Sequence, residues 1–251
     1  MSTMYHTRYR TGLRTLMASV LLFLTASLPA VAGPYDDGLA AYKKGDWATA
    51  YKILKPIAET DSSQSAVAQQ RLGMLTEFGR GTAKNPAQAA TWYRKAADQG
   101  DMVAQGHLGR LYRLGTGVPR DAAQAAKWSI KAASQGNAAA QANLGYMSLD
   151  GFGLPADPAA AAGWFKRSAD QGDASGMLGL ATLCEAGRGV PKDVVQAAKW
   201  YTLASVDDGE YDEEMFAQAK KSKTALEAKM TPAQIAEADK LAQDFTPAAK
   251  R

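Results

Sequence analysis

Few side chains in this chain could do acid–base, nucleophilic or metal chemistry, and they are scattered. Of the two histidines, His6 and His107, only His107 lies beyond the first 32 residues. No histidine metal cluster or histidine pair can therefore form there. Cys184 is the single cysteine. Beside Leu183 on a helical stripe it reads as a buried, inert thiol, because reactive thiols need an exposed, electropositive setting. The carboxylate pairs Asp207-Asp208 and Glu213-Glu214 stand near expected helix starts, where negative charge is favoured without any catalytic duty. No Gly-x-Ser-x-Gly elbow, Walker loop or Ser-x-x-Lys occurs. A paired glycine, Gly-x-Gly, recurs, but each copy closes a helix, whereas a dinucleotide fingerprint opens one after a strand. This inventory points away from an enzyme and implies no cofactor and no metal.

The elements that must position these residues are periodic. Trp92, Trp128, Trp164 and Trp200 follow one another every 36 residues without a gap. The glycine pairs Gly79/Gly81, Gly115/Gly117, Gly151/Gly153 and Gly187/Gly189 keep the same period. A fixed period of this length means stacked supersecondary units in place of one globular core.

One unit, Ala104 to Asn137, shows the logic. Ala104, Leu108, Leu111 and Tyr112 make one apolar stripe on a first helix. Gly115 ends it in the left-handed conformation, Gly117 bends the loop again, and Asp121 caps a second helix. The equivalent caps are Asn85, Asp157 and Asp193, with Pro86 and Pro158 at the first helical position. On the second helix Ala125, Trp128, Ser129, Ala132 and Ala133 share a register, the alanines allowing close approach and the indole filling the space beside them. Lys95, Lys131 and Arg167 complement the negative end of the dipole. Gly100, Gly136 and Gly172 stop this helix, and Asp101, Asn137 and Asp173 cap the next.

The ends differ. Arg8, Arg10 and Arg14 precede an apolar run over Leu16 to Leu28, followed by Ala30-Val31-Ala32. This is the pattern of a cleavable export signal over residues 1–32. The run is shorter than a membrane span needs, and no cysteine follows it for lipidation. The chain carries 29 basic and 25 acidic residues, net +4; without the three leader arginines 26 face 25, net +1. A near-neutral remainder has no electrostatic footprint for nucleic acid. Residues 33–64 read as an N-terminal partial repeat and cap. Repeats follow at about 65–101, 102–137, 138–173 and 174–209, then C-terminal capping helices and a tail over 210–251. Met215, Ala219, Leu226 and Met230 share one face of the first capping helix. Thr231 to Gln234 is a capping box that opens the last, with Phe245 on its apolar face.

The unit resembles the Sel-1-like repeat, a relative of the tetratricopeptide repeat. Ala104, Leu108, Gly109, Tyr112, Gly115, Gly117, Val118, Asp121, Ala125, Trp128, Lys131, Ala132, Ala133 and Gly136 meet its pattern. Ala181 in the column of Gly73, Gly109 and Gly145, and Ser129 in place of an aromatic, depart from it. The resemblance implies an all-α, right-handed α-α superhelix. It further implies a non-enzymatic protein–protein interaction scaffold or adaptor, with a protein or peptide partner. With the leader, the expected location is the periplasm of a Gram-negative bacterium, where the partner could be the exported domain of a membrane sensor or an envelope complex. A cell-wall-active enzyme or enzyme accessory, and a secreted host-interacting effector, are the alternatives. Some cysteine-rich relatives are associated with penicillin binding through a cysteine pair in each repeat, which this chain lacks.

In such solenoids the first helix of each pair usually lines the concave face. The positions there off the apolar stripe are the candidate contact residues. They are Arg71, Met74 and Glu77 in the first full repeat; His107, Arg110 and Arg113 in the second; Asn143, Tyr146 and Leu149 in the third; Gly179, Thr182 and Glu185 in the fourth. His107 is expected to be an exposed helix-surface residue. Arginine, tyrosine and methionine are what interface cores favour.

Overall fold

Each 36-residue unit folds into a hairpin because two sets of helix start and stop signals occur within it. The computed structural model describes residues 33–206 and 213–248. The expected leader over 1–32 and the pair Asp207-Asp208 lie outside the described residues. Among those described, the chain forms twelve α-helices and no strand. A short hairpin, α1 (Pro34–Lys43) and α2 (Trp47–Ala58), precedes four longer ones. These are α3 (Ser65–Phe78) with α4 (Pro86–Asp98), α5 (Met102–Leu114) with α6 (Ala122–Ser134), α7 (Ala138–Asp150) with α8 (Pro158–Asp170), and α9 (Ala174–Ala186) with α10 (Val194–Ala204). Helices α11 (Glu213–Glu227) and α12 (Pro232–Gln243) follow. The fold is an all-α solenoid of helical hairpins.

The local signals act as the sequence reading expects. Asp121 accepts from Gln124 N at 3.0 Å, Asp101 from Ala104 N at 2.7 Å, and Asn137 from Ala140 N at 2.8 Å. Gly115, at φ +72°, ends α5 in the left-handed region. The loop then returns, and Asp121 N donates to Tyr112 O at 3.0 Å, fixing where α6 begins. The second glycine has a task beyond bending. A Cβ on Gly117 would lie 2.3 Å from both the carbonyl carbon and the oxygen of Pro86. The loop of one repeat therefore rests on the start of the second helix in the repeat before it, and only a glycine backbone fits.

Between hairpins, α5 packs on α7 and α7 on α9, while no comparable contact joins α4, α6, α8 and α10 to one another. Closer spacing of the first helices puts them on the inner side of the curve. Glutamine amides tie the helices together between repeats and within them. Gln69 donates to Ala58 O at 2.8 Å, and Gln105 to Ala97 O at 3.1 Å. Gln99, Gln135 and Gln171 each donate, at 2.8 Å, to Gln69, Gln105 and Gln141 respectively. Each amide thus satisfies a polar group that stacking would otherwise bury unpaired. Both glutamine columns keep the spacing of 36.

The aromatic core corrects the sequence reading in one respect. The deepest rings are not the tryptophans but the residues that follow them. Tyr93 and Phe165 are wholly buried, while Trp164 is half-exposed. Tyr93 lies over Gly73, and Phe165 between Gly145 and Gly179, where an added Cβ would come within 2.6 Å of a ring atom. Gly179 is thus a packing residue. The indoles sit one layer further out under cations, Lys95 4.9 Å above Trp92, Arg167 4.9 Å above Trp164 and Lys199 4.1 Å above Trp200. These basic residues therefore cover rings as well as complementing the dipole. Trp128 is 2% exposed between Lys127 and Lys131. Trp128→Ala is expected to cost about 3 kcal/mol, the lower end for a large buried aromatic, because the flexible lysines can fold into the gap. Urea unfolding followed by circular dichroism measures it; an unchanged midpoint would show that the indole packs against nothing that matters.

Helices α11 and α12 both pack on α10 and cover the last apolar face, as a solenoid end requires. Leu226, Ala219 and Ala238 join the core of the fourth repeat, and the Phe245 ring meets Trp200 edge-on at 5.3 Å. The capping box at Thr231 and Gln234 is formed. Phe216, not Met215, is the buried residue at the start of α11. Cys184 is buried, and burial raises its thiol pKa, which fits an inert thiol.

Candidate interaction face

The first helices touch their own second helix and the first helices on either side, so little of each is left uncovered. This changes the standing of several expected contact residues. Glu77, Asn143 and Met74 are buried, at 4%, 4% and 9% exposure. Asn143 donates to Gly106 O at 3.1 Å and so ties α7 to α5. The Met74 sulfur accepts from Gln70 at 2.9 Å and from Tyr42 at 3.4 Å. These three hold the stack together and are not free for a partner.

Glu77 is the centre of a polar cluster that the sequence reading did not see. Tyr93 Oη donates to its Oε2 at 2.9 Å, and Arg110 of the next repeat pairs with its Oε1. His107 Nδ1 stands 3.5 Å from Oε2, and its ring lies flat on Tyr93 with centroids 4.7 Å apart. His107 is therefore no exposed surface residue: its side chain is 15% exposed, and Nδ1 itself is buried without a hydrogen-bond partner. Burial alone would raise the Glu77 pKa, but His107, Arg110 and the Tyr93 hydroxyl override it and hold the carboxyl at about 2. Burial, then the Glu77 charge, push the Tyr93 phenol well above its ordinary 10. A carboxylate held ionised and already occupied by donors is a poor proton acceptor. The cluster is an ion network between repeats.

A pH dependence follows. Because the folded pKa lies below the ordinary value of 4.5, the contribution of Glu77 is fully present above pH 4.5. It is lost as pH falls towards about 2. Across that window the advantage of wild type over Glu77→Gln should shrink, as thermal melts of both proteins would record; a constant gap would contradict the network.

The fourth repeat repeats the geometry in weaker form. Tyr201 Oη donates to Glu185 Oε2 at 2.8 Å, and Thr182 lies beside it. In the second repeat Ser129 and Arg113 occupy these two columns, and in the third Phe165 and Leu149. Only the first and fourth repeats place a tyrosine after the tryptophan against a glutamate of the first helix; Ser129 Oγ has no such partner.

The open surface that remains is a trough across α3, α5 and α7. One cavity of about 230 Å³ is lined by His107, Arg110, Arg113, Tyr146 and, at its rim, Phe78, Leu114 and Met215. A second, of about 290 Å³, shares Phe78, His107 and Ala139 with it and continues past Arg71 and Met74. Arg113 stacks on the Tyr146 ring at 4.9 Å, and Tyr146 Oη donates to Ser175 O at 3.3 Å. Burial pushes the Tyr146 phenol up to about 12 against the lowering pull of Arg113. Arg71 is stacked on Tyr42 at 4.7 Å. Thr182 and Glu185 lie elsewhere, in a hollow with Lys192, Leu226 and Met230. The candidate residues therefore do not form one continuous groove. Among the described residues no three of His, Cys, Asp or Glu converge as metal ligands would, and no helix is long and apolar enough to cross a membrane.

Stacked helical hairpins with an inner trough define a solenoid of the protein-binding class. The Sel1 repeat family matches four times, at residues 66–101, 103–137, 138–173 and 174–205, more than half of the chain, which belongs to that family. A crystal structure of a Sel1 repeat protein from Oxalobacter formigenes is similar over 84% of this chain and 82% of its own, at 28% identity and a TM-score of 0.58. The uropathogenic Escherichia coli protein c5321, a protective antigen displaying an SLR fold, is 29% identical over 83% of this chain and 53% of its own, at a TM-score of 0.45. Immunity protein Pa5087 from Pseudomonas aeruginosa is 18% identical over 80% of this chain and 89% of its own, at a TM-score of 0.48. No curated protein sequence matches. Sel1 repeats are in general protein–protein interaction modules, and typically non-enzymatic scaffolds.

Proposed function

We propose that this protein is an exported, non-enzymatic adaptor of the bacterial periplasm that holds a segment of a partner protein against its inner helices. The observation that carries the reading is the trough itself. Arg113, Leu114 and Phe78 line it, and of the three only Arg113 meets the next repeat, through the face of Tyr146. The apolar run and small residues before Gly33 support export, and a partner anchored in the membrane, such as the exported domain of a sensor, is the natural class for a regulator placed there.

Site-specific photocrosslinking in intact cells tests the reading. A crosslinking residue at Leu114, 48% exposed at the trough, should capture a distinct protein. The same residue at Ile130, 50% exposed on α6, should not. Equal capture from both positions, or none from either, would remove the inner-face assignment. Fractionation of the same cells checks export: the protein should appear in the periplasmic extract without residues 1–32, and its recovery from the culture medium would favour a secreted effector.

A further inference from the structure

The trough contains a positive charge that is engaged in no ion pair among the described residues. Arg113 is half-buried, yet among the described residues no carboxylate lies within ion-pairing distance of it. Its Nε is buried without an acceptor, and its only close support is the face of Tyr146, which offers polarisable electrons but no counter-charge. Asp150 is the carboxylate whose field reaches Arg113, from beyond ion-pairing distance and against the opposing fields of Arg110 and Arg120, and the negative charge nearest Arg110, on Glu77, is already shared with Tyr93 and His107. None of the residues lining the cavity is acidic. A desolvated guanidinium without an anion is costly, and supplying one from outside would recover that cost. Arginine also presents a planar fork that suits a carboxylate.

The rim says what should carry the anion. Leu114, Phe78 and Met215 make an apolar border, with Leu114 48% exposed, and the adjoining cavity extends the path along α3 and α5. A cavity lined by guanidinium groups and large apolar side chains, with a second cavity adjoining it, fits an extended chain with a carboxylate beside a large apolar side chain. We infer that the cleft between α5 and α7 receives an acidic side chain of an extended protein segment, with Arg113 as its counter-ion and Leu114 and Phe78 packing its apolar neighbour. This rests on the adaptor reading above and specifies the chemistry of the partner.

Panning a random-peptide phage library on the purified protein tests it. Selected peptides should be enriched in Asp or Glu next to Leu, Phe or Met, and their binding should weaken as salt rises. Arg113→Gln should weaken binding of a selected peptide by about 30-fold or more, the loss expected for one desolvated charge pair. Leu114→Glu places a carboxylate at the exposed mouth and should abolish the same binding. It decides the matter if Arg113→Gln fails to fold. Peptides without acidic enrichment, binding unmoved by either substitution, or no selected peptide at all would overturn the inference. Binding of polygalacturonate in place of peptides would overturn it as well, assigning the cleft to an anionic polysaccharide. None of these results bears on whether crosslinking at Leu114 captures a partner in cells, so the two readings fail separately.

Discussion

Glu77→Ala should lower the unfolding free energy by about 3–5 kcal/mol, the loss found when one member of a buried ion pair is removed. The substitution strands the Arg110 guanidinium and leaves the wholly buried Tyr93 hydroxyl without its acceptor. Because Arg110 belongs to the next repeat, the damage falls on the joint between α3 and α5 as well as inside one hairpin. Urea unfolding followed by circular dichroism would show a lower midpoint. Glu185→Ala is the informative control. Glu185 accepts from Tyr201 but is half-buried and has no arginine in the place of Arg110. Its loss should be about 1 kcal/mol, the worth of a typical hydrogen bond. Equal losses at the two positions would mean that Arg110 and His107 add nothing to the cluster.

The same comparison explains what was legible in the sequence. Caps, turn glycines and apolar stripes act over three to eight residues, so Asp121, Gly115 and Leu108 announce themselves in any single repeat. The Glu77 cluster joins residues 16 and 33 positions apart, and one repeat read alone cannot show it. Glu77 and Met74 looked like surface residues because they lie off the stripe defined by Leu72 and Leu75. In this solenoid an inner first helix such as α7 is wedged between four neighbours, α5, α6, α8 and α9, so positions beside the stripe are covered too. His107 followed the same error: its ring is covered by Tyr93 of the preceding hairpin. The period held part of the remedy, since Tyr93 with Glu77 and Tyr201 with Glu185 recur in matching columns. Arg113 stood out as a candidate, but that its charge lacks a counter-ion depends on where the surrounding side chains fall in space.

Function in such a fold is left to what stacking does not consume. The tryptophans, alanines, paired glycines and glutamine columns are engaged in packing within and between hairpins. Of the candidate contact positions, Arg113 and Tyr146 meet within an open cavity, beside the ion network of Glu77 and away from the hollow beside Glu185. A binding site of this kind can change its ligand with little disturbance to the frame, because Leu114 is exposed and Arg113 meets the next repeat only through the Tyr146 ring. The limit on that freedom is set by the joints themselves, and the tightest of them is made by the second glycine of each pair.

Gly117→Ala should therefore be more damaging than its size implies, costing about 4 kcal/mol. At φ +73° a Cβ brings a conformational penalty of about 1 kcal/mol in the left-handed region. The larger share comes from position: the new methyl would sit 2.3 Å from the Pro86 carbonyl. That neighbour is backbone at the start of α4, which cannot turn aside as a side chain can, so the loop after α5 must lift off the preceding hairpin. Gly100→Ala separates the two contributions. Gly100 has φ +97° but nothing within 4 Å of an added Cβ, so it should lose only the conformational share, about 1 kcal/mol. Because contacts in a solenoid run only between neighbours, hydrogen exchange in Gly117→Ala should rise first at α4, α5 and their loop, before α9 and α10. A uniform rise along the chain would show instead that the repeats unfold as one body, and that this joint has no local meaning.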